Sequence, residues 1–172
     1  MEEVYLAVRD SAAVNARIEL LVRDYQTRIA RYLRRMVGDS EVALDLTQEV
    51  FLAAFRMLKQ HPERPLTAGW LYKTATNGAI SHLRRKKIVR MIPLERDHDT
   101  RSWRIDEQSA VSVDLQAAIG QLPPEQASAV LLTSYAGYSS QEAAAVLGTS
   151  ADAVRQRVCR AMKTLRSIMT EQ

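Results

Sequence analysis

Apolar residues in the first ninety positions recur three and four residues apart, the spacing that predicts α-helix. A first helix is predicted over residues 4–37, and its apolar positions are Leu20, Leu21, Tyr25, Ile29, Tyr32, Leu33 and Met36. Asp39 or Ser40 could cap a second helix over residues 41–60. Residues 61–65 contain two prolines and must form a loop, since proline disfavours helix at the residue before it. Thr67 then caps a third helix, residues 68–87.

The second half of the chain changes character. Residues 93–112 alternate in charge, with Trp103 and Ile105 as the only obvious apolar anchors, which suits a flexible linker. Helices are predicted over residues 113–122, 125–136 and 151–169, with a short helix before the last one. That short helix begins at a capping box, Ser139 with Glu142, and ends at Gly148. A short apolar helix, a turn and a basic helix form the helix-turn-helix layout.

The predicted fold class is therefore all-α, with two small helical domains joined by a flexible linker. We expect an N-terminal domain over residues 1–92, a linker over 93–112 and a helix-turn-helix domain over 113–172. The composition agrees with this division, because 47% of the 172 residues are apolar and only 6 glycines and 5 prolines interrupt them.

Charge is unevenly distributed, although the net value is only +4. No lysine or arginine lies between Asp114 and Gly148. The cations concentrate in two blocks, Arg84, Arg85, Lys86, Lys87 and Arg90, and Arg155, Arg157, Arg160, Lys163 and Arg166. Two separate basic patches suggest a polyanion held at two points, whereas the alternative is two solvated helix faces.

The second predicted helix has two apolar faces where one would suffice. The stripe that a helix buries in its own domain is Leu46, Val50, Ala53, Ala54 and Met57. Phe51 and Phe55 project from roughly the opposite side, beside Gln48 and flanked by Asp45 and Leu52. Aromatic residues bordered by polar and acidic groups suggest a docking surface for a second macromolecule. The alternative is that another helix of the same domain covers them.

The last helix should bury Val154, Val158, Ala161 and Leu165. Its outer face then carries Gln156, Arg160 and Lys163, with Arg155 and Arg157 on the flanks. Arginine pairs with guanine and glutamine with adenine in the major groove, so this face has the chemistry of a DNA-reading helix. A merely solvated cationic helix is the alternative.

The third helix combines aromatic residues with cations, since Trp70, Tyr72 and Asn77 precede the first basic block. Aromatic faces stack on unpaired bases while cations follow the backbone, which suits single-stranded nucleic acid. Tyr72 also belongs to an apolar stripe with Ala75, Ala79 and Leu83, which favours a core position for it. Trp70 lies off the centre of that stripe.

Catalytic and metal-binding signals are missing from the sequence. His61, His82 and His98 are dispersed, and the single Cys159 excludes an internal disulfide and argues against zinc. We therefore expect no catalytic residue, no metal, no cofactor and no small-molecule substrate. The acidic N-terminus and the absence of a long apolar run predict a cytoplasmic protein without membrane insertion.

The order of the motifs resembles the extracytoplasmic-function (ECF) group of bacterial sigma factors across nearly the whole chain. The motifs that carry the resemblance are Asp45-Leu46-Thr47-Gln48-Glu49-Val50-Phe51, then Trp70-Leu71-Tyr72-Lys73-Thr74-Ala75-Thr76-Asn77, then Leu122-Pro123-Pro124-Glu125, then the basic helix from Arg155 to Arg166.

This resemblance implies binding to core RNA polymerase and to promoter DNA, both as duplex and as melted strand. It assigns polymerase docking to Asp45, Gln48, Glu49 and Phe51. It assigns capture of a flipped minus-ten base to Trp70 and Asn77 with residues 62–66, and minus-ten backbone binding to Arg84, Arg85, Lys86 and Lys87. The minus-thirty-five element falls to Arg155, Gln156, Arg157 and Arg160, with Lys163 on the same face.

Three features depart from the family pattern. Ser81 stands where aspartate is common, Gly78 interrupts a helix, and Asp152-Ala153 replaces the usual Gly-Thr. DNA-binding surfaces on so small a factor would need masking, so we also expect an anti-sigma factor as a partner. The alternatives are a conventional helix-turn-helix regulator that binds a palindromic operator without polymerase, and a pure protein-interaction module.

Overall fold

The computed structural model describes residues 2–90 and 110–170, and every element in these two ranges is helical. The predicted all-α fold class is confirmed. The helices are α1 (Glu2–Val37), α2 (Ser40–Gln60), α3 (Ala68–Arg90), α4 (Ala110–Gln121), α5 (Pro124–Val130), α6 (Ser140–Leu147) and α7 (Ala151–Thr170). Trp103 and Ile105, the anchors predicted for the linker, lie outside the described residues, whereas residues 110–112 form the start of α4.

Local chemistry sets the first helix boundaries. Gly38 has φ 74°, a left-handed conformation that favours glycine, and it ends α1. Asp39 caps α2, because its Oδ1 accepts the N–H groups of Glu41 at 2.9 Å and Val42 at 3.1 Å. Between α2 and α3 lies the segment that we call the proline loop, residues 61–67. Thr67 caps α3 by accepting the N–H of Trp70 at 3.3 Å.

A buried hydroxyl pair sits at the centre of the N-terminal half. Tyr32 and Thr76 are both buried, and their hydroxyl oxygens lie 2.7 Å apart. The Thr76 hydroxyl donates to the carbonyl of Tyr72 at 2.7 Å, so the Tyr32 hydroxyl must be the donor to Thr76. Burial raises the pKa of Tyr32 and keeps it neutral. The pair therefore links α1 to α3 without an unsatisfied polar atom.

The C-terminal half packs α7 against α5 and α6. Val154, Ala161 and Leu165 of α7 are buried as predicted, and Val158 is half-buried. Gly148, with φ 63°, ends α6 in the left-handed conformation expected of a C-terminal glycine. The predicted helix-turn-helix is present.

One helix differs from its prediction. The helix predicted over residues 125–136 is α-helical only to Val130, and Leu131–Tyr135 form a π-helical turn. The wide turn closes when the N–H of Ala136 donates to the carbonyl of Leu131 at 2.9 Å. Apolar spacing cannot distinguish a π-helical turn from α-helix, because the extra residue shifts the register by only one position.

The two halves pack directly on each other. The Arg35 guanidinium lies 4.4 Å from the centre of the Tyr135 ring, and Gln116 Nε2 donates to the Arg35 carbonyl at 2.8 Å. Tyr72 and Tyr138 meet edge to face, with ring centres 5.3 Å apart. The buried side chains of both halves consequently form one continuous apolar cluster.

Candidate nucleic-acid interface

The exposed face of α2 differs from the predicted docking face in its apolar members. Asp45, Gln48 and Glu49 are exposed, as the docking interpretation requires. Phe51, however, is half-buried and packs against the apolar cluster, so the prediction that it projects away from the core was wrong. The buried stripe of α2 is therefore wide enough to include part of the Phe51 side chain.

Two leucines provide the apolar exposure on α2 instead. Leu44 is 56% exposed and Leu52 is 51% exposed. With Gln48 they fall at i, i+4 and i+8, one surface stripe of a helix. Leu52 was predicted only to flank the docking face, and the exposure of Leu44 was not predicted. The same spacing rule that identified the core stripe would have found both.

Phe55 is also half-buried, and its place on the docking face stays a prediction. The Lys59 ammonium lies 5.6 Å from the centre of its ring, one helical turn along the same helix. Phe55 thus has partners within the chain.

The minus-ten candidates Trp70 and Asn77 have different environments. Trp70 is half-buried against the apolar cluster, and its carbonyl accepts the Thr74 hydroxyl at 2.9 Å. Asn77 is exposed and lies on the rim of a groove of about 550 Å³ between α2 and α3. The groove is polar where α3 lines it with Thr74, Asn77 and Ser81, and α2 contributes Glu49, Leu52 and Arg56.

Gly78 lies where α3 approaches Leu46 of α2. A Cβ at this position would lie 3.4 Å from Leu46 Cδ2, at the inner limit of ordinary contact. The small Gly78 and Ser81 side of α3 therefore keeps the groove open beside Asn77.

The cations of the first basic block from Arg84 to Lys87 are exposed, but one of them forms an ion pair. Arg85, Lys86 and Lys87 are exposed on the last turns of α3. Arg84 donates through Nη2 to Glu125 Oε1 at 2.7 Å, across the contact between the two halves. This hydrogen bond is the main reason that the pKa of Glu125 is lowered.

On α7 the predicted outer face is exposed. Gln156, Arg160 and Lys163 point to solvent, as does Cys159. Of the flanking residues, Arg155 is exposed and Arg157 is half-buried. The basic helix therefore presents one contiguous face of cations and amides.

Each of the two helices of the helix-turn-helix, α6 and α7, begins at a serine cap. Ser139 and Glu142 form the predicted capping box of α6, with the Ser139 N–H donating to Glu142 Oε2 at 2.8 Å. Ser150 caps α7 through its hydroxyl, which accepts the N–H of Ala153 at 3.1 Å. Asp152, in the first turn, forms an ion pair with Arg155 that sequence analysis did not anticipate.

A contact between α1 and the proline loop was not predicted from the sequence. Arg17 of α1 donates to the carbonyl oxygens of Pro62 and Arg64, the latter at 2.8 Å. No local pattern indicates this contact, because the partners lie more than forty residues apart along the chain.

Within residues 2–90 and 110–170, no group of histidine, cysteine, aspartate or glutamate side chains could hold a metal ion. In the same part of the chain, none of the helices is both long and apolar enough to cross a bilayer.

Comparison with known proteins connects these surfaces to a family. The model of Sigma-70 region 2 matches residues 21–88, and that of Sigma-70 region 4 matches residues 112–165. The chain is 35% identical to the ECF RNA polymerase sigma factor SigE of Mycolicibacterium smegmatis, over 98% of this chain and 67% of that protein. It is 30% identical to the RNA polymerase sigma factor CarQ of Myxococcus xanthus, over 89% of each chain.

Solved structures share the fold. The sigma factor RpoE, in complex with the anti-sigma factor NepR from Bartonella quintana, has a TM-score of 0.67 at 20% identity, covering 88% of this chain and 96% of that one. CnrH, in complex with the cytosolic domain of CnrY, has a TM-score of 0.67 at 23% identity, covering 96% and 97% respectively. These two likenesses concern the fold.

Proposed function

Because the chain belongs to the ECF RNA polymerase sigma factors, and so directs promoter recognition and transcription initiation, we propose how its surfaces divide that task. Core polymerase binding falls to α2, minus-ten recognition and melting to α3 with the proline loop, and minus-thirty-five recognition to α7. The observation that carries this division is that three chemically different surfaces are exposed on three different helices.

The α2 surface is the proposed polymerase-docking site. Asp45, Gln48 and Glu49 offer charge-assisted and amide hydrogen bonds, and Leu44 and Leu52 add exposed apolar area beside them. A mixed acidic and apolar stripe suits a basic helical partner, because apolar contacts supply affinity and charges set orientation. Phe51 supports the face from below rather than touching the partner.

The groove beside Asn77 is the proposed site of the melted minus-ten strand. Asn77 can donate and accept hydrogen bonds at a base edge, and the exposed Arg85, Lys86 and Lys87 can follow the phosphates. Trp70 is half-buried, so it presents part of its ring at the start of α3, next to the proline loop. Base capture at this end and backbone binding at the other would hold a single strand along α3.

The outer face of α7 is the proposed reader of the minus-thirty-five duplex. Arg155, Gln156 and Arg160 suit base edges in the major groove, whereas Arg157 and Lys163 suit phosphates. Asp152 opposes this role at one end of the helix, because it pairs with Arg155 and repels phosphate.

Promoter binding requires the two halves to separate. The two elements take their names from positions about 25 base pairs apart, which is on the order of 80 Å at about 3.4 Å per base pair. In this structure Arg84 of the minus-ten surface touches Glu125, whose carboxylate also feels the charge of Arg157 on α7. We propose that engagement with polymerase opens this closed form.

Regulation by a protein antagonist is a further part of the proposal. RpoE and CnrH were each solved with such a protein or with a domain of their partner. The same fold here, with its docking and DNA surfaces exposed, supports an anti-sigma partner that holds the closed form or covers α2.

Sigma factors are in general regulators without enzymatic activity, and we propose the same for this chain, acting in the cytoplasm where polymerase transcribes. A conventional helix-turn-helix regulator is less well supported. The Sigma-70 region 2 match covers residues 21–88, the half to which that alternative would give dimerisation or sensing.

The decisive experiment adds core polymerase to the full-length protein on a promoter that the assembled enzyme initiates. We expect Trp70→Ala and Asn77→Ala holoenzymes to bind duplex promoter yet accumulate closed complexes, as followed by permanganate footprinting of melted thymines. A template with a pre-melted bubble should partly restore Trp70→Ala, because flipping a base costs a few kcal/mol that the bubble has already supplied. Wild-type melting by both variants would remove the single-strand role from α3.

A further inference from the structure

The backbone carbonyl groups of the proline loop have few hydrogen-bond donors within the loop. Pro62 and Pro65 lack N–H groups, so the loop has fewer donors than carbonyl acceptors. Within the loop one backbone hydrogen bond is formed, from the N–H of Arg64 to the carbonyl of His61 at 3.0 Å. Residues 61–65 are all exposed, so packing does not fix their conformation either.

Arg17 supplies the missing donors from α1. Its Nη1 donates to the carbonyl of Pro62, and its Nη2 donates to the carbonyl of Arg64 at 2.8 Å. One planar guanidinium thereby holds two carbonyls, two residues apart, in a fixed relative orientation. Leu66 packs against the apolar cluster at the end of the loop, so the loop is fixed at two points.

We infer that Arg17 is a positioning residue for promoter melting, which acts by presetting the shape of the proline loop beside Trp70. This inference rests on the proposed function, in which the loop and α3 together capture an unpaired base. A loop that is already ordered does not lose conformational freedom when the strand binds. The two hydrogen bonds from Arg17 therefore favour the open complex.

Lysine distinguishes this role from a simple charge effect. An ammonium at position 17 keeps the positive charge but offers no planar fork, so it cannot hold two carbonyls in the same geometry. A direct phosphate contact would survive the change to lysine. Its loss in Arg17→Ala would reduce the log–log salt slope of DNA binding by about one. A positioning residue leaves that slope unchanged.

The experiment uses Arg17→Ala and Arg17→Lys in the full-length protein, alone and with core polymerase. In the free protein, hydrogen–deuterium exchange at the Arg64 amide, which donates to the His61 carbonyl, should accelerate in both variants. In the holoenzyme, both should form open complexes about five- to ten-fold more slowly, within the range expected for the net loss of one hydrogen bond. Closed-complex affinity and its salt slope should stay at wild-type values.

Arg23→Ala is the matched control. Arg23 lies on the same helix and pairs with its neighbour Asp24 at 2.9 Å. Its loss removes the same charge without touching the loop, so exchange and opening should both remain normal. Circular dichroism of each variant checks that α1 remains helical.

The outcomes separate this inference from the proposed function. Normal melting by Arg17→Ala, with defective melting by Trp70→Ala, overturns the role of Arg17 and leaves the minus-ten assignment intact. Full rescue by Arg17→Lys, or a changed salt slope, also overturns it in favour of a charge contact. If Trp70→Ala, Asn77→Ala and Arg17→Ala all melt the promoter normally, the proposed function of α3 fails and the inference falls with it.

Discussion

Arg84 and Glu125 form an ion pair of 2.7 Å that joins α3, the proposed minus-ten helix, to the first turn of α5 in the other half of the chain. Both side chains are partly exposed, at 66% and 37%, so the pair stabilises the contact only modestly. Its importance lies in which residue it involves. Whenever the halves are closed, Arg84, a proposed DNA-binding cation, is paired with Glu125.

Reversing the charge of Glu125 should open the closed form. In Glu125→Lys the new ammonium faces Arg84 and Arg157, so attraction becomes repulsion. We expect the equilibrium constant between closed and open forms to fall by about two- to five-fold, since exposed pairs contribute up to about 1 kcal/mol. Spin labels at the native Cys159 and at Gln26→Cys, both exposed positions, would report longer distances by pulsed electron resonance.

Two controls test the cause of that opening. Glu19→Lys changes the net charge equally at an exposed position of α1, and the distances should stay short. The swap of Arg84→Glu with Glu125→Lys should restore them. The pKa of Glu125 is lowered in the closed form, so its stabilising effect is present at neutral pH. The effect is lost on acidification through that lowered pKa. Distances that respond to neither the swap nor acid would assign the closure to the other contacts between the halves, which are the Gln116 hydrogen bond and the apolar and aromatic packing.

Removing the charge of Asp152 should strengthen DNA binding by α7. Asp152→Asn frees Arg155 from its ion pair and removes a carboxylate that would repel phosphate. We expect tighter binding to minus-thirty-five duplex with a log–log salt slope steeper by about one, because the α7 surface gains one unit of net positive charge. Fluorescence anisotropy across a salt series measures both quantities.

The same change should cost a little stability. A carboxylate in the first turn of a helix contributes about 0.3–1 kcal/mol by interaction with the helix dipole, and the amide loses this. Asp24→Asn is the matched control, since Asp24 also pairs with an arginine on an exposed helix face, that of α1. Unchanged DNA binding by Asp152→Asn would mean that Arg155 does not reach DNA.

Polymerase docking should depend on the exposed stripe of α2 and not on its aromatic residues. We expect Asp45→Ala with Gln48→Ala, and separately Leu52→Ala, to weaken core binding while thermal stability stays nearly intact, because all three side chains are exposed. Central contacts in an interface often cost about 2 kcal/mol or more when truncated. Competition binding against a labelled wild-type factor measures the loss.

Phe51→Ala should behave differently, because this ring packs on the apolar cluster. We expect its principal effect to be a lower melting temperature. Glu41→Ala with Gln60→Ala serves as the control, with exposed residues of similar chemistry on the same helix. Strong unfolding of the Asp45 and Gln48 double variant would mean that this face is internal.

The contrast between Phe51 and Leu44 illustrates what sequence spacing can predict. Helix positions, caps and buried stripes followed from local patterns, because each depends on residues within a few positions of one another. Asp39, Thr67, Ser139 and Gly148 all act at the boundaries expected of them. The edge of the buried stripe on α2 was harder to predict from local patterns, since the neighbouring helix determines how far burial extends around α2.

Contacts between distant segments could not be predicted at all. Arg84 with Glu125 and Arg17 with the proline loop join segments about forty residues or more apart, and no local pattern links them. The π-helical turn was not predicted for a different reason. Leu131 and Leu132 are buried as α-helical spacing requires, and only the hydrogen-bond register differs.

Gly78→Ala should raise stability and impair promoter opening at the same time. Glycine inside a helix costs about 1 kcal/mol relative to alanine. The added methyl would lie 3.4 Å from Leu46 Cδ2, which is ordinary contact and not a clash. For a chain of 172 residues, a gain of this size raises the melting temperature by roughly 2–4 °C. The same methyl, however, fills part of the groove beside Asn77 that is proposed to receive the melted strand.

Gly120→Ala separates these two effects. Gly120 is also within a helix, α4, and a Cβ there would meet nothing within 4 Å. It should gain similar stability and leave promoter opening unchanged. Differential scanning calorimetry gives the stability of each variant, and permanganate footprinting gives the melted fraction in each holoenzyme. Equal opening by both alanine variants would show that the groove stays empty when the promoter melts, whereas a loss confined to Gly78→Ala would assign the groove to the strand.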